Sequence, residues 1–344
     1  MNPKNFLLVL VLLGALAGCG GGDDDKAATT EAPVPAESTI RVGLITDLGQ
    51  LNDHGFNQLA YEGLKQAQSE LGVKGRVIQS ASAADYVPSM AKLAREGYDL
   101  IVAVGYAQGE AVATAAKRFP DTRFAIVDVS QADLAGTPAN ALGLVFKEQE
   151  AGFLAGYAAA LAEKERPGPD VIGSVGGMKE PPVDRFIAGY QAGAKLAVPQ
   201  IKLLNAYSQD WDDLAKCKEV ALDQIARGAG VVFQVAGGCG LGALDAAREK
   251  GIWGVGVDAD QSFLGTHVLT SAQKKVDRAV FTTIESVVNG SWKGGGDSIF
   301  GLAEGGVGLA PLSPDAPAAF TADLKELERK VAAGEVEVPS SLAG

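Results

Sequence analysis

Short apolar runs rich in Val and Ile alternate along this chain with stretches whose apolar positions recur at helical spacing. Strand-like runs fall at 40–47, 76–81, 99–105 and 123–128, with helical patterns near 56–71, 85–96 and 107–118 between them. A second series follows "ALGLVF" (141–146) and a long helical stretch at 147–163. Its strands are "DVIGSVGG", "IKLLNAYS", "GVVFQVAGG" and "IWGVGVD", separated by helices near 182–197, 212–227 and 241–250. Continuously apolar strands between helices imply parallel sheets covered on both faces. Two such series predict an α/β protein of two doubly wound parallel-sheet lobes. The tail is less regular: "HVLTSA", a helix near 275–289, a Gly-rich stretch at 290–310 and a charged helix near 315–333. The chain is expected to cross back between lobes there. Residues 39–148 plus about 266–292 are assigned to the first lobe, and 149–265 plus about 293–344 to the second.

The N-terminus stands apart from this pattern. "MNPKNFLLVLVLLGALAGCGGG" carries Lys4, an apolar run and then small residues, which reads as a signal peptide over 1–18, too short to span a membrane. Leu16-Ala17-Gly18-Cys19 resembles the bacterial lipobox, in which the Cys is lipidated and becomes the first residue. Residues 19–38 then form a lipidated Cys19 and a polar, Pro-containing tether, whose r.m.s. reach is on the order of 25 Å. The folded part is expected outside the cytoplasm, held to a bacterial membrane by lipid. A formal charge of −12 without a Lys/Arg cluster argues against nucleic acid as a partner. With Cys19 set aside, Cys217 and Cys239 are an even pair in an oxidising compartment. Whether they bond is open, because a helix and the end of the next parallel strand must bring Cα atoms within about 7 Å.

In open parallel sheets, ligands bind beyond the carboxyl ends of the strands. Three strands here end in carboxylates, Asp47, Asp128 and Asp258, and others in glycines, including Gly237-Gly238. Any one Asp reads better as a helix cap; three in matching positions point to donors such as a diol. Phe56, flanked by Asp53 and Asn57 at a helix entry, reads either as a staple onto the core or as a platform for a flat heterocycle. Trp211 occupies the corresponding place in the second series.

Catalytic and metal patterns are poor. "GCGLGA" (238–243) fits a dinucleotide fingerprint, with Asp258 following at the end of the next strand, but a nicotinamide cofactor sits badly with an exported chain. The two histidines, His54 and His267, lack ligand spacing. No cofactor, metal or enzymatic activity is expected.

Several stretches together resemble the basic membrane protein family of bacterial substrate-binding lipoproteins: "TDLGQLNDHGFNQLAYEGL", "GLVFKEQEAGFLAGYAAALAEK", "GSVGGMKEPPVDRFIAGYQAGAK", "VVFQVAGGCGLGALDAA" and "GVGVDADQ". The resemblance implies a type I periplasmic-binding-protein-like fold with a three-stranded hinge, and a monomer that delivers a nucleoside or related heterocycle to the permease of an ABC importer. It implies that Asp47, Asp53 and Asn57 contact the base or its surroundings, that Phe56 and Trp211 stack on it, and that Asp128 is the polar position after the fourth strand. It further implies that Asp258 takes ribose hydroxyls with Lys274 as its partnering lysine, Lys275 being the adjacent alternative. "GGCG" departs from the family's more frequent Gly-Gly-Thr-Gly, and Gly55 stands where many members have Ser. An exported nucleoside-processing enzyme or a ligand sensor on the same scaffold are the alternatives.

Overall fold

Strand-forming runs separated by helices fold in the computed structural model into two six-stranded sheets. The structure describes residues 38–342; the expected signal peptide, the lipidated Cys19 and nearly all of the tether lie outside them. In the first sheet, β1 (Arg41–Ile45), β2 (Lys74–Ile78), β3 (Leu100–Ala103), β4 (Arg123–Val127) and β5 (Ala141–Phe146) pair in parallel. The second contains β6 (Val171–Gly176), β7 (Lys202–Tyr207), β8 (Val231–Val235), β9 (Trp253–Asp258) and β10 (Val268–Lys274), also parallel. Alternate residues of one strand serve opposite cores. Leu100 and Val102 of β3 face α1 (Phe56–Leu71) and α8 (Val276–Val288), while Ile101 and Ala103 face α2 (Tyr86–Arg95) and α3 (Gly109–Arg118). This two-sided burial is why these strands are apolar throughout rather than alternating.

The tail differs from the expectation in its lobe assignment. Strand β10 belongs to the second sheet, whereas residues 266–292 were expected in the first lobe; of that stretch, α8 does pack on α1 of the first lobe. The Gly-rich 290–310 contains two strands that periodicity does not reveal. β11 (Gly296–Phe300) adds to β5 of the first sheet, and β12 (Val307–Leu309) pairs antiparallel with β10 of the second. Both are edge strands with half-exposed patterns, so neither carries an apolar run. The chain therefore crosses between lobes three times, at 147, 275 and 301–306. The crossings are laced together: Lys147 N–H donates to Phe300 O at 3.0 Å and Lys275 N–H to Gly306 O at 2.8 Å.

Helix α4 (Glu148–Lys164), which follows the first crossing, packs on α5 (Pro181–Ala197) through glycines at four-residue spacing. A methyl at Gly156 would lie 1.9 Å from Tyr190 O, and one at Gly193 would lie 1.9 Å from Phe153 O. Backbone thus meets backbone, and no side chain fits between. Helices α6 (Leu214–Ala226) and α7 (Gly240–Lys250) cover the other face of this sheet, joined by a disulfide between Cys217 and Cys239 with Cα atoms 5.6 Å apart. The two cysteines meet because α6 and α7 lie side by side. The last helix, α9 (Phe320–Ala332), buries Leu324 and Leu327 in the same core as α4.

Gly156→Ala is expected to lower stability by about 1–3 kcal/mol, the usual cost of overpacking, read as a drop in melting temperature by circular dichroism. Gly308→Ala, whose methyl meets nothing within 4 Å, should change it little; equal effects would contradict close packing at the α4–α5 contact.

Candidate functional site

A cavity opens between the lobes at the carboxyl ends of both sheets. From the first lobe it is lined by Asp47, Asp53, Phe56, Asn57 and Asp128; from the second by Trp211, Gly237, Gly238, Asp258 and Lys274. All ten residues singled out in the sequence thus meet in one place, although 146 positions separate Asp128 from Lys274.

Their environments differ. The Asp53 carboxylate works largely as a cap, accepting from Gly55 N at 2.9 Å, Asn57 N at 2.8 Å and Gln58 N at 3.1 Å. It thereby satisfies free N–H groups of the first turn of α1 and fixes Phe56, its first residue. The side-chain oxygen of Asn57 accepts from Asp47 N at 3.1 Å, leaving its amide N–H groups as donors. Asp47 Oδ1 accepts from Tyr86 OH at 2.6 Å and Leu48 N at 2.7 Å. Close approach here needs Gly105, at φ +117°, where a Cβ would lie 2.0 Å from Asp47 Oδ2. Phe56 and Trp211 are both half-buried and packed against core residues, so the staple and the platform readings of Phe56 describe two faces of one ring. The Trp211 ring rests on Gly177, where a Cβ would lie 2.3 Å from Cζ3, and Cys239 N–H donates to Trp211 O at 2.8 Å.

Lys274 corrects an expectation. Its ammonium is 2 % exposed and donates to Asp128 Oδ1 at 2.5 Å and Glu148 Oε1 at 2.9 Å, rather than to Asp258. It also lies 5.0 Å from the Phe56 ring centroid. Burial alone would lower its pKa, but Asp128, Glu148 and Asp258 outweigh this and hold it above the ordinary lysine value. Glu148 is buried and takes a second cation, Arg185 Nε at 2.6 Å. Burial would raise its carboxyl, yet Lys274 and Arg185 together hold it below the usual range. Asp128 accepts a hydrogen bond from Lys274, with Arg185 a weaker influence, and burial together with the Glu148 charge pushes it up to about 6.

Asp258 is buried and accepts no hydrogen bond from any described residue. Burial, only partly countered by Lys274, pushes its carboxyl up to about 7. Both Asp128 and Asp258 sit in the left-handed region, at φ +75° and +63°, conformations that Asp tolerates better than most residues. These strand ends thus turn out of the sheet at their carboxylates.

Sequence reading missed several groups. Glu148 reads as an ordinary acid in the first turn of a helix, and its partner lies 126 residues away. Glu180, before Pro181-Pro182, also lines the cavity. Gln261 is buried and ties the lobes at the rim: its Nε2 donates to His54 O at 3.2 Å, while its Oε1 accepts from Gln234 Nε2 at 2.8 Å. The His54 and Phe263 rings meet beside it, centroids 5.1 Å apart. An amide after "VDAD" gives no signal without the fold. Among the described residues, no group of three or more His, Cys, Asp or Glu could hold a metal ion, and no helix is long and apolar enough to cross a membrane.

The raised carboxyls fix a pH dependence. The folded protein keeps protons on Asp258 and Asp128 that the unfolded chain, with an Asp pKa of about 3.9, releases. Where the native state binds more protons, stability falls as pH rises, here between about 4 and 7. His267, held low by burial, acts in the opposite sense, so a variant isolates the effect. Asp258→Asn is expected to gain in melting temperature relative to the parent as pH rises from 5 to 8. Parallel curves for the two proteins would remove the buried carboxylate as the cause.

The family model described as "ABC transporter substrate-binding protein PnrA-like" matches residues 40–341. The chain is 32% identical to the "ABC transporter nucleoside-binding protein BmpA" of Lactococcus lactis, over 97% of each chain. It is 34% identical to a Pyrococcus horikoshii protein named as a lipoprotein, covering 89% of this chain and 76% of that one. Among solved structures, the solute-binding protein of an ABC transporter system from Aeropyrum pernix superposes with a TM-score of 0.80 at 27% identity, covering 88% of this chain and 94% of that one. A two-lobed fold, a cleft at the strand ends and a match along the whole described chain agree: the protein belongs to the PnrA-like family of ABC transporter substrate-binding proteins.

Proposed function

We propose that this chain captures a nucleoside, a purine nucleoside in the first instance, between its lobes and presents it to the permease of an ABC importer without converting it. The observation that carries this reading is Asp258, a buried carboxylate that no described residue serves as donor. Burial without donors keeps a proton on this carboxyl up to about pH 7. Once ionised it only accepts hydrogen bonds, and the vicinal hydroxyls of a ribose supply the donors that the protein does not. Phe56 and Trp211, one from each lobe, supply flat apolar surfaces for a base in the same cavity. A relative named for nucleoside binding agrees with this chemistry. Ligand contacts from both lobes favour the closed form, which is the form a permease would distinguish from the empty receptor. Attachment through Cys19 would keep the receptor near its permease at high effective concentration; a relative named as a lipoprotein agrees.

Titration calorimetry with purine nucleosides tests the reading, with stoichiometric binding and no released base as the expected result. Turnover to free base would overturn it in favour of an enzyme. Phe56→Ala should weaken nucleoside binding by about 1–3 kcal/mol, the scale of base–aromatic stacking; unchanged affinity with a large loss of stability would return Phe56 to the core. Asp258→Ala should weaken binding of the riboside more than that of the free base, and equal losses would remove its role toward the sugar.

A further inference from the structure

We propose that Glu180 makes this cavity selective for a solute whose ring edge presents a ring N–H beside an exocyclic amino group, the 2-amino-6-oxo edge of a guanosine-type nucleoside. The inference rests on the nucleoside reading above and adds which base the site takes.

The charged groups of the cavity divide into two ends. Asp258 ends β9 and Glu180 follows β6, with β8 between them in the second sheet; Asp47 follows β1 and Asp128 follows β4, with β3 between them in the first. Glu180 and Asp258 therefore lie toward opposite sides of the cavity, and Asp47 is among the charges that act on Glu180. If the sugar lies at Asp258, the base edge faces Asp47 and Glu180. The groups left open there form a definite pattern. Both protein donors to the Asp47 carboxylate use Oδ1, which leaves Oδ2 as an acceptor. Asn57 has its side-chain oxygen occupied and offers N–H. The Glu180 carboxylate takes no hydrogen bond or ion pair from any described residue. Its neighbour Lys179 pairs instead with Asp184, at 3.0 Å. One donor and two acceptors complement a guanine edge, with its carbonyl oxygen, ring N–H and amino group. They match hypoxanthine less well, since it lacks the amino group, and adenine poorly, since its ring nitrogen is an acceptor facing a carboxylate.

Glu180 is also held firmly. It immediately precedes Pro181-Pro182, which open α5; proline fixes φ and narrows the conformations of the residue before it. Burial, with Asp47 and Asp128 nearby, pushes its carboxyl up to about 7. Two donors on a ligand would favour the ionised form of Glu180, in a cavity where Lys274 is the only lining cation among the described residues.

Guanosine and inosine differ only by the 2-amino group and make the decisive pair. Titration calorimetry of the purified protein should give guanosine at least about tenfold tighter than inosine, the scale of one hydrogen bond to a charged group. In Glu180→Leu the ratio should fall to within about threefold, mainly through lost guanosine affinity, with an unchanged circular dichroism spectrum. In Glu180→Gln, which keeps one acceptor, it should lie between. Equal binding of both nucleosides by the parent protein, or a preference that survives Glu180→Leu, would overturn this inference and leave the nucleoside reading intact. Binding of neither nucleoside would overturn both.

Discussion

The Lys274 ammonium, buried where the chain passes between lobes, is the contact on which the rest of the architecture turns. It sits at the end of the last long strand of the second sheet, bonded to Asp128 at the end of a first-sheet strand and to Glu148 just past the first crossing. The three crossings hydrogen-bond to one another beside it. A lone buried cation would be intolerable, and a lone buried carboxylate nearly so; breaking such a pair typically costs about 3–5 kcal/mol because the survivor is left uncompensated. Arg185 joins from α5 and brings the second-lobe helices into the same network. The network joins the two lobes beside the crossings, and two of its members, Asp128 and Lys274, also line the cavity.

The consequence for binding is a cavity with one cation and an excess of carboxylates. Asp53 is largely spent on capping α1, and Asp128 is tied to Lys274. Asp258, Glu180 and one oxygen of Asp47 are left without a donor among the described residues. Asp128 and Asp258, held at positive φ, turn their strand ends outward so that both face the cleft rather than the sheet. Such strained, underpartnered residues are poor choices for stability alone, and they gather where ligands bind.

The aromatic wall of the second lobe depends on different physics. Trp211 lies in the segment between β7 and α6, and three local features hold it. Gly177 leaves room for the ring, the Cys239 N–H binds the Trp211 carbonyl, and the disulfide joins the turn carrying Cys239 to α6. The "GGCG" segment, which formally resembles a dinucleotide fingerprint, therefore serves here to anchor Trp211 through the Cys239 N–H, with Gly237 at φ +54° and Gly240 packed so closely on Gln234 that a Cβ would lie 1.8 Å from its Oε1. Its glycines answer a packing demand, which is why the motif alone says little about a cofactor.

The elements that need only local sequence are those the periodicity foretold. α1 spans Phe56–Leu71 as expected, and β1 and β3 through β9 fall within the apolar runs, since strands buried on both faces leave a continuous hydrophobic signature; β2 begins at Lys74, before its run, and β10 continues to Lys274, past its own. The carboxylates at strand ends and the aromatics at helix entries were equally legible, because topology alone sends strand ends to the cleft. Edge strands β11 and β12 were not, having half-exposed faces and no apolar run, and so the last crossings were misassigned. Nor could sequence foresee that Lys274 pairs with Asp128 and Glu148 instead of Asp258, or that Glu148, Glu180 and Gln261 belong to the same centre. Those partners lie on different elements, up to 207 positions apart. Periodicity reports which face of an element is buried; only the packed structure decides which charge meets which.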